Sequence, residues 1–139
     1  MTIDFTTDFG QGVLKRLQSE QCIWLTTVGP DGAPQPNPVW FLWEEETILI
    51  YTQPGSVKVR NIRQNLHVAL NFNCSFDGSD VAVITGRVQI DEQAPRARDN
   101  AAYLEKYAAG IADIQMNPES MSAEYNLALR IRPEKLRGF

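Results

Sequence analysis

The stretch Tyr51-Thr52-Gln53-Pro54-Gly55-Ser56-Val57-Lys58-Val59-Arg60-Asn61-Ile62 brings hydroxyls, loop amides, a helix start and two cations together within twelve residues. That combination suits a phosphate. The first N–H groups of a helix have no partner inside the helix and carry partial positive charge. Ser56 adds a hydroxyl there and Lys58 a full charge. The same residues also describe a capped surface helix whose Lys58, Arg60 and Arg63 point into water, where ion pairs contribute little. The pattern alone leaves both readings open.

The segment Ala33 to Trp43 is unusual in a different way. Pro34, Pro36 and Pro38 occupy alternate positions, and alternate N–H groups of a strand point to the same lateral side. That side therefore has no donors, which excludes a central position in a sheet and predicts an edge or the lip of an opening. Such a strand either guards an edge against pairing with other chains or lines a ligand cleft. Trp40 and Phe41 at its end either pack against a planar ligand or belong to the core.

No dedicated nucleophile or base stands out. His67 is the single histidine and has no Ser or Cys partner in a recognisable motif. Cys22 and Cys74, far apart and in or beside strands, read as core thiols rather than a disulfide framework or a zinc knuckle. Glu44-Glu45-Glu46 reads as a solvated turn, so no metal site is expected. The formal charge of −4, from 13 basic and 17 acidic residues, gives no global attraction to nucleic acid or to anionic lipid, so an anion site has to be local. The longest purely apolar run, Val39 to Trp43, is too short to span a bilayer, and Asp4 and Asp8 interrupt the start of the chain. A cytoplasmic protein is expected, with neither nucleic-acid nor membrane partners.

These residues need a scaffold, and 139 residues suit one domain over 1–139 with a single core. Helical spacing of Phe9, Val13, Leu14 and Leu17 predicts a helix from Asp8 to Glu20. A strand from Cys22 to Val28 meets the Pro-edged strand through the turn Gly29-Pro30-Asp31-Gly32. An alternating strand from Thr47 to Thr52 precedes a helix from Ser56 to Gln64, with Val59, Ile62 and Leu66 as its apolar face. Strands are predicted over His67 to Asn73 and Val81 to Ile90, with Gly86 a candidate bulge. Ala94 to Ala109 has helical propensity, Gly110 to Tyr125 reads as a loop, and Leu127 to Ile131 forms a last strand before Pro133. About six mostly hairpin-linked strands with inserted helices fit a small, mainly β antiparallel barrel.

In order and spacing, Asp31-Gly32-Ala33-Pro34 leading into Pro38-Val39-Trp40-Phe41, then Tyr51-Thr52 with Ser56 and Lys58, resembles the pyridoxamine 5′-phosphate oxidase-like FMN-binding split-barrel flavoproteins. The likeness runs from about Gly12 to Arg130-Ile131-Arg132-Pro133 and is closest to the branch using the deazaflavin coenzyme F-420. It implies a six-stranded antiparallel split β-barrel that dimerises with FMN or F-420 at the interface. The implied activity is that of an oxidoreductase moving hydride to or from a small organic substrate. By this resemblance Asn37, Pro38, Val39 and Trp40 run along the cofactor ring. Tyr51 and Thr52 meet the ribityl or phosphate end, Ser56 and Lys58 hold the phosphate, and Arg60 is a second phosphate contact. No residue is assigned as catalytic, because hydride chemistry resides in such a cofactor.

The chain departs from pyridoxamine phosphate oxidases at Val57, where they carry Arg, and along the Pro-edged strand, where they have further basic residues. Both departures imply a looser hold on the FMN phosphate. They also leave room for a flavin carrier or stress-associated binding protein without turnover, and for a haem-binding split barrel with His67 as ligand.

Overall fold

The computed structural model describes residues 3–139. One antiparallel sheet of seven strands, in the order β2-β1-β5-β6-β7-β4-β3, carries the fold. Its strands are β1 (Cys22–Val28), β2 (Pro34–Trp40), β3 (Leu42–Glu44), β4 (Thr47–Thr52), β5 (His67–Asn71), β6 (Ala82–Ile90) and β7 (Leu127–Gly138). The outermost strands of the sheet, β2 and β3, are consecutive in the chain, with Phe41 alone between them. A sheet whose two edges are one residue apart has to curl on itself, and this curl makes the split barrel.

The closure explains the seventh strand. The predicted strand Ala33 to Trp43 is two strands, because at Phe41 the chain leaves the β1 edge and joins β4 across the barrel. The turn before it is as predicted: Gly32 N–H donates to Gly29 O, and Gly32 has a φ of 83°. The acidic turn closes with Glu45 and Glu46 both left-handed, at φ 53° and 58°. β2 is an edge strand, as its prolines require. Its register on β1 sets Pro34, Pro36 and Pro38 opposite Val28, Thr26 and Trp24, and Pro34 to Pro38 are all exposed.

Two apolar clusters flank the sheet. Ile23, Leu25, Phe41, Ile48, Ile50, Leu70, Ile84 and Leu129 fill the barrel, together with Val13 and Leu17 of α1 (Asp8–Ser19) and Ile62 of α2 (Val57–Gln64). Leu49, Tyr51 and Ala128 form a second cluster on the opposite face, under Tyr103, Tyr107 and Ile111 of α3 (Ala101–Asp113) and Met121 of α4 (Pro118–Glu124). β4 is therefore buried at all six positions, since both of its faces are covered. Gly86 sits at a shift in register between β6 and β7, and a Cβ there would lie 2.3 Å from Arg132 O.

The 94–125 region departs most from expectation. A 3-10 turn (Ala97–Asp99) precedes α3, and Asn100 caps α3 by accepting from Tyr103 N–H. The segment read as a loop holds the end of α3 and all of α4, whose Asn117 and Ser120 form a reciprocal capping box with Pro118 at the first turn. β7 continues past Pro133 to Gly138. Leu66, assigned to the apolar face of α2, is 52% exposed, because α2 ends at Gln64. No described helix is long and apolar enough to cross a membrane.

Candidate functional site

Helix α2 starts immediately beyond β4, so its first turn faces the end of the Pro-edged strand. Ser56 is its N-cap residue, in extended conformation. The Ser56 hydroxyl is buried, makes no capping bond, and has no hydrogen-bond partner. Lys58 Nζ lies 3.4 Å from Thr52 Oγ1, and no carboxylate among the described residues lies within ion-pair distance of it. Burial pushes the Lys58 ammonium below its usual range. A half-buried cation without a counter-charge is a place where an anion gains most.

Asn61 fixes the orientation of α2. Its buried amide nitrogen donates to Thr27 Oγ1 on β1 at 3.0 Å and to Gln35 Oε1 on β2 at 3.1 Å. The helix that carries Ser56 and Lys58 is thus tied directly to the hairpin that carries the Pro-edged strand.

A cavity of about 470 Å³ joins the two stretches singled out by chemistry. Pro38, Val39, Trp40, Tyr51, Thr52 and Lys58 all border it, and Lys58 is its single lysine or arginine. Asn37, Ser56 and Arg60 do not. Asn37 is exposed on β2, and Arg60 is exposed on α2 outside the cavity. Phe41, offered as an alternative ring contact, is fully buried in the barrel core, so Trp40 alone of the pair reaches the cavity. Trp40 stacks on Tyr107 with centroids 4.6 Å apart and planes 7° from parallel. Gly110 makes room for this indole, since a Cβ there would approach it to 3.2 Å.

The remaining wall was not foreseen. Tyr103, Ile114, Met121 and Tyr125 come from the α3–α4 segment, and the caps at Asn100 and Asn117-Pro118 were the available sequence signals for it. Tyr51 presents its ring, because its hydroxyl donates to Pro95 O at 2.6 Å and accepts from Asn100 Nδ2 at 3.2 Å. Cys22 is exposed and borders the cavity, and Cys74 is exposed too, which corrects their reading as core thiols. The β1 burial pattern alternates from an exposed Cys22, and Cys74 lies beyond the end of β5. His67 is exposed at the start of β5 and does not border the cavity. Among the described residues no His, Cys, Asp and Glu cluster could hold a metal ion. A larger, open depression of about 640 Å³ beside the N-terminal segment contains none of the predicted site residues.

A curled antiparallel sheet closed at Phe41, with a partly apolar cavity bordered by its edge strand and by one uncompensated lysine, is the architecture of a split barrel. The chain belongs to the pyridoxamine 5′-phosphate oxidase family, whose model matches residues 10–139. No curated protein sequence matches. Among solved structures it is similar to an F420 reductase at 26% identity, with a TM-score of 0.66 over 88% of this chain and 94% of that one. It is also similar to HutZ, the heme storage protein from Vibrio cholerae, at 14% identity and a TM-score of 0.65 over 95% of each chain. An FAD-binding protein from Mesorhizobium loti matches at 16% identity, with a TM-score of 0.62 over 88% of each chain. The last two likenesses concern the fold.

Proposed function

We propose that this chain is a homodimeric oxidoreductase that holds FMN or the deazaflavin F-420 in the 470 Å³ cavity and exchanges hydride with a small organic substrate. The observation that carries this reading is Lys58, half-buried beside Thr52 without a counter-charge, with the unpaired Ser56 hydroxyl at the same helix start. Both groups fit a phosphate. Rotation about the single Cα–Cβ bond redirects the Ser56 hydroxyl, and the first-turn amides of α2 add their partial charge. Thr52 contributes a hydroxyl and Tyr51 a ring face, while Arg60 adds longer-range attraction.

Pro38, Val39 and Trp40 provide a flat apolar rim for a planar ring, with Asn37 beside them. When bound, a cofactor of this kind supplies the hydride chemistry, and the protein positions and shields it. β2 supports the homodimer: it is an edge strand exposed over Pro34 to Pro38, and a second copy over it would close the cavity. The 26%-identical neighbour named as an F420 reductase favours the deazaflavin, as does the absence of basic residues along β2. Phosphate contacts alone do not hold such a cofactor. Two charge-assisted bonds contribute about 3–6 kcal/mol, against about 8 kcal/mol for micromolar affinity, so ring burial has to supply the difference.

Titrating the wild type and Lys58→Ala with FMN and with F-420 tests this reading. Removing the lysine should weaken the better ligand about ten- to a hundredfold, and unchanged affinity for both would overturn it. Reduced FMN and reduced F-420 offered together with candidate acceptors separate an enzyme from a carrier, which would bind without reducing any of them.

A further inference from the structure

Three tyrosines, Tyr51 of β4 and Tyr103 and Tyr107 of α3, form one buried group between strand and helix. The rings of Tyr51 and Tyr103 meet edge to face with centroids 4.9 Å apart, and those of Tyr103 and Tyr107 lie tilted at 4.9 Å. Two of the three hydroxyls are engaged within the protein. Tyr51 donates to Pro95 O, and the Tyr107 hydroxyl lies 2.7 Å from Gln21 O and 2.8 Å from Phe41 N. Tyr103 differs: it is 0% exposed, yet its hydroxyl has no hydrogen-bond partner.

Packing accounts for an aromatic ring at 103 but not for a phenol. Tyr103, Tyr107 and Ile111 recur on the buried face of α3, and a phenylalanine would fill the first position without the penalty of an unpaired buried polar group. Tyr103 is one of the residues lining the same cavity as Trp40 and Lys58. Burial also raises the Tyr103 pKa above the ordinary tyrosine range, with smaller contributions from Tyr107, Tyr51 and Tyr125. It is therefore a neutral donor, suited to an uncharged acceptor. Around it Trp40, Ile114 and Met121 add apolar wall, and the planar indole of Trp40 suits the body of a planar molecule.

We propose that Tyr103 sets the specificity of the α3 side of this cavity, donating its hydroxyl hydrogen to the carbonyl oxygen of a planar conjugated ketone bound as substrate. The proposal rests on the cavity being the ligand site of the proposed oxidoreductase, with the cofactor ring along β2 and the α3–α4 wall left to the substrate. Tyr103 is a specificity residue here, and no bond is made or broken at it.

The test uses probes without phosphate, 1-indanone and indane, which share a shape and differ in the carbonyl. Equilibrium dialysis should show the wild type preferring 1-indanone about tenfold, a preference that Tyr103→Phe removes. The thermal midpoint of Tyr103→Phe without a probe should equal or exceed that of the wild type, since no internal bond is lost. Tyr107→Phe, which does lose internal bonds, should melt lower and keep the preference. An unchanged preference in Tyr103→Phe, a wild type that does not discriminate, or a Tyr103→Phe midpoint as low as that of Tyr107→Phe would each overturn the proposal. Because neither probe has a phosphate, these results stand apart from the Lys58→Ala titrations.

Discussion

The hydroxyl of Tyr107 lies 2.8 Å from the amide nitrogen of Phe41 and 2.9 Å from its carbonyl oxygen. Phe41 is the single residue between the two edge strands, so neither ladder can pair its backbone groups there. A side chain from α3 does so instead, and Lys106 Nζ donates to the same carbonyl at 2.7 Å while sitting 3.7 Å over the Phe41 ring. The helix inserted between β6 and β7 thereby closes the barrel seam and also places Tyr103 and Trp40 on the cavity wall.

Tyr107→Phe should destabilise the fold by about 1–3 kcal/mol, because the amide of Phe41 and the carbonyl of Gln21 lose a buried partner. Urea denaturation measures it through a lower midpoint at unchanged slope.

Lys106 provides a pH signature. Burial holds its ammonium at about 8, down from an ordinary 10.5. In that window the unfolded chain binds more protons at this site than the folded chain, so the Lys106 contribution to stability rises from about pH 8 to about 10.5. The melting temperature of the wild type, relative to Lys106→Met, should therefore climb between pH 7.5 and pH 10. A flat difference would place the ammonium in water.

Asn61→Ala should cost about 1–3 kcal/mol, since it leaves the buried hydroxyl of Thr27 and the Gln35 amide without their donor. The same change frees α2 from the hairpin. In the Lys58 titration format, affinity for the better ligand should then fall although Asn61 does not border the cavity.

Gly86→Ala should destabilise by about 1–3 kcal/mol, because its Cβ would meet Arg132 O at 2.3 Å and the β6–β7 ladder would have to shift. Thermal unfolding reads the loss directly. Gly12→Ala, in open space on α1, is the control expected to hold or gain stability.

Much of this protein was legible locally. Proline without an N–H makes β2 an edge, Pro-Asp-Gly makes the turn before it, and Gly86 marks the shift in register. Ser56 and Lys58 fall at a helix start because Gln53-Pro54-Gly55 ends β4 there. Each inference uses the chemistry of a few neighbouring residues, and α1, β1, β4, α2, β5 and β6 lie within a residue or two of their expected places.

The sequence by itself thus determined the strands, the turns and which residues could meet an anion. Tertiary structure decided the rest: that Phe41 is buried and Trp40 available, that Cys22 is exposed at the cavity, and that α3 and α4 pack over β4 to build the opposite wall. The physical reason is distance along the chain. The Tyr107–Phe41 bonds join residues 66 apart, and the orphaned hydroxyl of Tyr103 is defined by what surrounds it in space, which no local pattern of side chains encodes.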